Sequence, residues 1–147
     1  MSTDPVVIVA ARRTPIGAFQ GALSDVSATQ LGATAVAAAV ADSGVDSADV
    51  GRVLMGCVLP AGLGQAPARQ AALGAGLPMS SGCTTVNKMC GSGMKTTMLA
   101  HDSLLAGTNE YVLAGGMESM SRAPYLLDRA RSGYRLGHGS VQDHMLS

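Results

Sequence analysis

A cysteine at a predicted strand–helix corner is the feature that most constrains this chain. Residues 84–86, which precede it, are β-branched, the residue types that suit a strand, and we expect that strand to be buried. Gly91 and Gly93 allow a tight turn beside Cys90. After the turn, the sequence predicts a helix. One face of this helix would contain four residues at helical spacing, namely Met94, Met98, His101 and Leu105.

Cys90 would therefore stand at a helix N-terminus, among unpaired N–H groups and the positive end of the helix dipole. That setting favours the thiolate, which is the nucleophilic form. The strand–turn–helix context is that of a nucleophile elbow, with Cys in place of Ser. The competing interpretation is packing, because most free cysteines are small buried hydrophobes. Ser92 is a weaker rival nucleophile, since no G-x-S-x-G surrounds it.

The rest of the chain alternates between strand and helix patterns. Ser27 and Gln30 form a capping-box pattern before an Ala-rich helix that we expect to end at Gly44. Further helices are predicted from Pro67 to about residue 73 and from 91 to 106. Strands are predicted near residues 6–11, 52–58, 84–89 and 111–114, with a further strand possible within 117–125. This alternation predicts βαβ units in a layered α/β fold with a mainly parallel, mixed sheet.

Four stretches of the chain, in order and spacing, resemble the thiolase family, which comprises acetyl-CoA acetyltransferases and 3-ketoacyl-CoA thiolases. Residues 86–95 resemble its nucleophile signature. The other three stretches are residues 12–17, 64–70 and 115–121, which resemble the end of its first strand, the start of its second helix and the segment leaving its fourth strand.

The resemblance implies a thiolase-like layered α/β fold. It divides the chain into an N-terminal α/β domain over residues 1–121 and the beginning of a loop domain over residues 122–147. It also implies ping-pong acyl transfer between coenzyme A thioesters, without a permanently bound cofactor. Cys90 would carry the acyl group, and its backbone N–H would help to form an oxyanion hole.

The family scheme also needs a histidine, a second cysteine and further oxyanion donors. In thiolases these lie in Gly-His-Pro, Asn-Glu-x-Phe-Ala and Cys-x-Gly motifs, and none of the three occurs in this sequence. We therefore expect activity only with a C-terminal half, and an isolated chain that is inactive. The first alternative is a non-catalytic remnant or assembly subunit. The others are a 3-ketoacyl-CoA thiolase of fatty-acid degradation and a related ketoacyl-synthase type of enzyme.

Other candidate site residues fit less well. Glu118 follows two glycines at a predicted strand end, where it could orient the site or pair with an Arg or with backbone N–H groups. His101 would lie about 16 Å along the helix from Cys90, too far to act as its base. His138 and His144 fall in an irregular tail. We expect Cys57 and Cys83 to be core residues.

Composition excludes several classes of function. Ten basic and ten acidic residues give zero net charge, which provides no electrostatic basis for binding nucleic acid or membranes. Three cysteines without C-x-x-C spacing, and no H-x-x-H, suggest neither a disulfide framework nor a metal site. The apolar run at residues 6–11 is too short to span a membrane. These features favour a cytoplasmic protein, and the apolar helix faces favour a homo-oligomer.

Overall fold

The computed structural model describes residues 4–147 of the chain. Its longer elements are three α-helices and five β-strands. The helices are α1 (Ala28–Ser43), α2 (Pro67–Gly74) and α3 (Ser92–Leu105). The strands are β1 (Val50–Gly56), β2 (Gly82–Val86), β3 (Tyr111–Gly116), β4 (Tyr125–Leu127) and β5 (Val141–Asp143).

The main sheet has three parallel strands in the order β2-β1-β3. Central strand β1 pairs on both sides, so that Leu54 lies opposite Thr84 of β2 and Ala114 of β3. Strands β4 and β5 form a separate antiparallel pair. The predicted layered α/β fold with a parallel sheet is therefore confirmed. Residues 117–124 contain no strand, because the chain turns through a short 3₁₀ segment at Met120–Arg122 before β4 begins.

The two faces of β1 bury different side chains, as the two-residue period of a strand requires. Val53, Met55 and Cys57 belong to the core cluster that contains the buried residues of α1 and α2. Gly56 points the other way, against the first turn of α3. The sheet is thus a middle layer, with α1 and α2 on one side and α3 on the other.

The start and end of α1 follow the signals in the sequence. The Ser27 Oγ accepts a hydrogen bond from the Gln30 N–H at 3.2 Å, and the Gln30 side chain accepts one from the Ser27 N–H at 2.9 Å. Gly44 ends the helix in a left-handed conformation, with φ of 70°. Within α1, a Cβ on Gly32 would lie 2.7 Å from the Met117 sulfur, so this glycine permits close packing.

The predicted strand at residues 6–11 does not form. Val7, Ile8 and Val9 are 74%, 82% and 58% exposed and belong to no strand. A strand needs a neighbour to pair with its backbone groups, and no described residue pairs with this segment. A continuous apolar run is typical of a strand covered on both faces, but Val6 and Ala10 are only half-buried and the three residues between them are exposed.

The helix after Cys90 forms as predicted, but it is not buried through the predicted face. Met94, Met98 and Leu105 are 72%, 55% and 55% exposed. The face against the sheet consists instead of small residues, namely Ser92, Thr96, Ala100 and Ser103. Small side chains allow the helix to approach the sheet closely, and this approach outweighs the larger hydrophobicity of the methionines.

Gly56→Ala tests this close approach. A Cβ on Gly56 would lie 2.7 Å from the Ser92 carbonyl carbon and 2.8 Å from the Gly93 nitrogen, both backbone atoms. Overpacking of this kind typically costs about 1–3 kcal/mol, and we expect that loss in denaturant unfolding. Gly82→Ala is the matched control in β2, because its Cβ would meet only the Gly51 carbonyl oxygen at 3.6 Å. Equal stability of the two variants would contradict the packing described here.

Candidate active site

The predicted strand–turn–helix corner is present, with a shorter strand than expected. Strand β2 ends at Val86 rather than at residue 89, and α3 begins at Ser92. The strand is also not buried, because it is an edge of the sheet and Thr84 is exposed. The five intervening residues form the elbow, the name used below for residues 87–91.

The backbone of the elbow is strained at one residue. Met89 has φ of 49°, in the left-handed region that non-glycine residues seldom adopt. Such a conformation costs about 1–3 kcal/mol unless the surroundings impose it. Cys90 follows directly and is exposed to solvent. Gly91 is the N-cap of α3 and provides no side-chain cap, so Cys90 stands next to the first turn of the helix.

Two polar side chains bond to the elbow from its ends. The Asn87 Oδ1 accepts from the Met89 N–H at 3.0 Å, and its Nδ2 donates to the Val58 carbonyl at 3.3 Å. The Ser92 Oγ accepts from the Lys88 N–H at 2.9 Å and donates to the Met89 carbonyl at 2.6 Å. Ser92 is 5% exposed, so its hydroxyl is engaged and covered, which argues against it as a rival nucleophile.

The three thiols differ sharply in environment. Cys57 is 1% exposed, and burial together with the nearby Glu118 carboxylate raises its pKa to about 12. Cys83 is half-buried, with its sulfur 3.4 Å from the Ser81 carbonyl. Cys90 alone among them is exposed. The expectation that Cys57 is a core residue is confirmed, whereas Cys83 lies at the edge of the core.

Glu118 binds backbone groups rather than the elbow itself. Its Oε2 accepts from the Val58 N–H at 2.7 Å and its Oε1 from the Leu59 N–H at 3.3 Å. The Cys57 thiol donates to Oε1 at 3.6 Å. Of the two roles expected from the sequence, these contacts favour the structural carboxylate. The Val58 carbonyl also accepts a hydrogen bond from the Asn87 side chain. Glu118 therefore supports the loop to which Asn87 is bonded.

The described hydrogen bonds and ion pairs of the histidines do not involve the nucleophile. His101 Nε2 is 2.8 Å from the Asp4 carboxylate, whose pKa is lowered by the Val6 N–H and by this histidine. His138 is exposed, and His144 has a buried Nε2 without a hydrogen-bond partner. No described hydrogen bond joins a histidine to Cys90, so these positions provide no base for its thiol.

The described residues contain no group of His, Cys, Asp or Glu side chains that could hold a metal ion. Nor does any helix within residues 4–147 have the length and apolar character needed to cross a membrane.

Together, fold and site define a class of protein: a layered α/β domain that presents an accessible cysteine at a strand–helix elbow. Such a group can attack an electrophilic carbon, with the helix N-terminus next to the developing charge. Sequence reasoning considered Ser92 only as a rival nucleophile and gave Asn87 no role of its own, so it missed the hydrogen bonds of both side chains to the elbow. An Asn two residues before the residue it bonds is a known turn signal, and could have been recognised.

Comparison with known proteins identifies the family. The model of the thiolase N-terminal domain matches residues 6–147. Over 141 residues, 96% of this chain, the sequence is 57% identical to acetyl-CoA acetyltransferase 2 of Arabidopsis thaliana and covers 35% of that protein. It is 55% identical to acetyl-CoA acetyltransferase of Escherichia coli (strain K12), over 95% of this chain and 36% of that protein.

A more distant relative agrees with these two. The chain is 48% identical to a probable acetyl-CoA acyltransferase of Staphylococcus aureus (strain MRSA252), over 96% of the chain and 36% of that protein. The chain belongs to the thiolase N-terminal domain family, and it spans about a third of the length of the curated relatives it matches.

The environments of the three thiols predict an order of alkylation. With iodoacetamide at pH 8, Cys90 should be modified first, Cys83 more slowly and Cys57 only after unfolding, because its pKa is raised to about 12. Peptide mass spectrometry over a time course measures each site separately. Cys90→Ala is the control that removes the fast phase. Rapid labelling of Cys57 in the folded chain would contradict this assignment.

Glu118→Gln should destabilise the chain. One of the two amides now bonded to the carboxylate, Val58 or Leu59 N–H, would face the NH₂ group of the glutamine, and an unsatisfied donor costs about 1–3 kcal/mol. The change also removes the charge that helps raise the Cys57 pKa, so Cys57 should ionise at lower pH. Denaturant unfolding and ultraviolet thiolate titration measure the two effects. Unchanged stability would show that these hydrogen bonds contribute little.

Proposed function

We propose that this chain carries the nucleophile of an acetyl-CoA C-acetyltransferase. The enzyme transfers acyl groups between coenzyme A thioesters through an acyl-cysteine at Cys90. It condenses two acetyl-CoA to acetoacetyl-CoA, or runs the reverse thiolysis. The observation that carries the proposal is the exposed Cys90 at the start of α3, in a chain whose other two thiols are at least partly buried.

The chemistry starts with attack of the Cys90 thiolate on the thioester carbonyl of acetyl-CoA. The carbonyl oxygen takes up the negative charge, for which the Cys90 N–H is a proposed donor. Collapse of this intermediate breaks the bond to coenzyme A, which leaves as a thiolate and takes a proton. A second acetyl-CoA loses an α-proton, and its carbanion attacks the acetyl-Cys90 carbonyl. The products are acetoacetyl-CoA and the free Cys90 thiolate.

The remaining part of the enzyme would provide the acid and base for these proton transfers. None of the histidines described here lies at Cys90, and Cys57 is held protonated by its surroundings. Positioned acid–base groups typically contribute 10²- to 10⁴-fold in rate, so the chain by itself should not complete a cycle. A C-terminal thiolase half, as a companion or a continuation, is the proposed source.

The proposed assembly is a homo-oligomer in the cytoplasm that contains this second half. Large exposed apolar residues support it, among them Ile8, Met94 and Met98, since such surfaces usually mark interfaces. We also propose that residues 1–121 form one domain and residues 122–147 begin another. The separate β4–β5 pair supports that division. Coenzyme A thioesters are the proposed substrates, with no permanently bound cofactor and no role for nucleic acid.

The alternatives differ from this proposal in what Cys90 does. A non-catalytic remnant would keep the fold without acylation of Cys90. A 3-ketoacyl-CoA thiolase of fatty-acid degradation would form the same intermediate from longer substrates. The acetyl-CoA acetyltransferases among the relatives support acetyl transfer over the longer-chain reaction.

A chimaera tests the proposal directly. Residues 1–147 joined to the corresponding remainder of the Escherichia coli acetyl-CoA acetyltransferase should cleave acetoacetyl-CoA with coenzyme A. With acetoacetyl-CoA and no free coenzyme A, only the first half of the reaction can occur, and the acetyl group should then be found on the Cys90 peptide by mass spectrometry. The isolated chain should show no turnover, because the proton-transfer groups are missing.

The matched controls are Cys90→Ala, which should abolish cleavage, and Cys83→Ala, which should leave it unchanged. A folded chimaera that neither cleaves acetoacetyl-CoA nor acetylates Cys90 would overturn the proposal and favour the non-catalytic remnant.

A further inference from the structure

The elbow holds a strained residue directly before the nucleophile. Met89 adopts φ of 49° without the conformational freedom of glycine. The backbone conformation of Met89 sets the direction in which the chain continues through Cys90 into α3. Some interaction must therefore impose this conformation on Met89, and the structure shows which side chains surround it.

Both backbone polar groups of Met89 are bonded by neighbouring side chains. Its N–H donates to the Asn87 Oδ1 at 3.0 Å, and its carbonyl accepts from the Ser92 Oγ at 2.6 Å. The same Ser92 oxygen accepts from the Lys88 N–H at 2.9 Å. The turn is closed by a hydrogen bond from the Gly91 N–H to the Lys88 carbonyl at 3.1 Å.

We propose that Asn87 and Ser92 are positioning residues that hold Met89 in its left-handed conformation and thereby fix Cys90 at the start of α3. The two side chains are called the elbow clamp. Its effect on catalysis rests on the acyl transfer proposed above, whereas its effect on the backbone does not.

The clamp is anchored in the fold at both ends. Ser92 is 5% exposed and packs against Gly56, at the end of the central strand. The Asn87 Nδ2 donates to the Val58 carbonyl at 3.3 Å. The Val58 N–H in turn donates to the Glu118 Oε2 at 2.7 Å. Ser92 thus ties the elbow to the sheet, and Asn87 ties it to the loop after β1 that Glu118 holds. A catalytic side chain requires such support from its surroundings.

The first test is hydrogen exchange of the Gly91 amide, measured by NMR in the 147-residue chain. Ser92→Ala should accelerate it about tenfold, the factor that corresponds to the loss of one ordinary hydrogen bond. Adding Met89→Gly should restore slow exchange, because glycine adopts positive φ without help. Ser103→Ala is the matched control, since it removes another buried hydroxyl from the same helix.

The rescue separates positioning from a general structural role. If Ser92 merely stabilised the start of α3, the Lys95 amide, bonded to the Gly91 carbonyl at 2.8 Å, would also exchange faster. Met89→Gly would then restore nothing, and this result would overturn the proposal. Asn87→Ala, at an exposed position, provides a second variant should Ser92→Ala fail to fold, and should also accelerate exchange of Gly91.

The second test uses the chimaera described above. Ser92→Ala should lower kcat by up to about 10²-fold, the loss typical of a displaced reacting group, with KM for acetoacetyl-CoA little changed. Met89→Gly should recover kcat in that background. Unchanged kcat in Ser92→Ala would overturn the catalytic effect of the clamp. An inactive parent chimaera with the expected exchange rates would overturn the proposed function and support the clamp.

Discussion

The close approach of α3 to the carboxyl ends of β1 and β3 is the contact on which the site depends. Gly56, Gly93 and Gly116 meet with no side chain between them, and a Cβ on Gly116 would lie 3.4 Å from the Gly93 Cα. Thr96 adds a hydrogen bond across this contact, with its hydroxyl 2.8 Å from the Gly115 carbonyl. Because the first turn of α3 packs directly on the backbone of β1 and β3, the sheet sets where the helix begins after the elbow.

Two cysteines follow the carboxyl ends of the neighbouring strands β1 and β2, and they lie in different environments. Cys57 continues β1 into the core, where burial and the Glu118 charge keep its thiol protonated. Cys90 leaves β2 through a strained turn and reaches solvent at the helix start. The sequence contains both as isolated cysteines without motif spacing. The two thiols differ in exposure because the chain after β1 carries Cys57 into the core, whereas the elbow after β2 carries Cys90 to the surface.

Elements with local signals were predictable from the sequence, and elements that depend on distant partners were not. Ser27, Gln30 and Gly44 mark the ends of α1 through contacts within a few residues. By contrast, the apolar run at residues 6–11 was predicted to be a strand and forms none, and the methionine face of α3 is exposed. Hydrophobicity indicates that a surface favours burial, but it does not specify the partner.

The candidate site shows the same division. Cys90 at a strand–helix corner was evident from β-branched residues and glycines, because both act locally. The hydrogen bonds of Asn87 and Ser92 were missed, since the positive φ of Met89, a non-glycine residue, has no signal in the sequence. Glu118 was located at a strand end, but its partners Val58 and Leu59 lie some sixty residues earlier. Spacing alone cannot identify such partners.

The exposed methionine face of α3 and the exposed Cys90 both occur at the start of this helix. Met94 lies four residues after Cys90, in the first turn of α3. In the proposed reaction, the acyl-cysteine intermediate has to be shielded from water, because hydrolysis would compete with transfer. In the proposed enzyme, a surface that covered the methionine face, which begins with Met94 at 72% exposure, would lie beside the helix start that follows Cys90. Burial of that apolar surface would contribute free energy to the proposed assembly, and its interface would begin next to the proposed nucleophile.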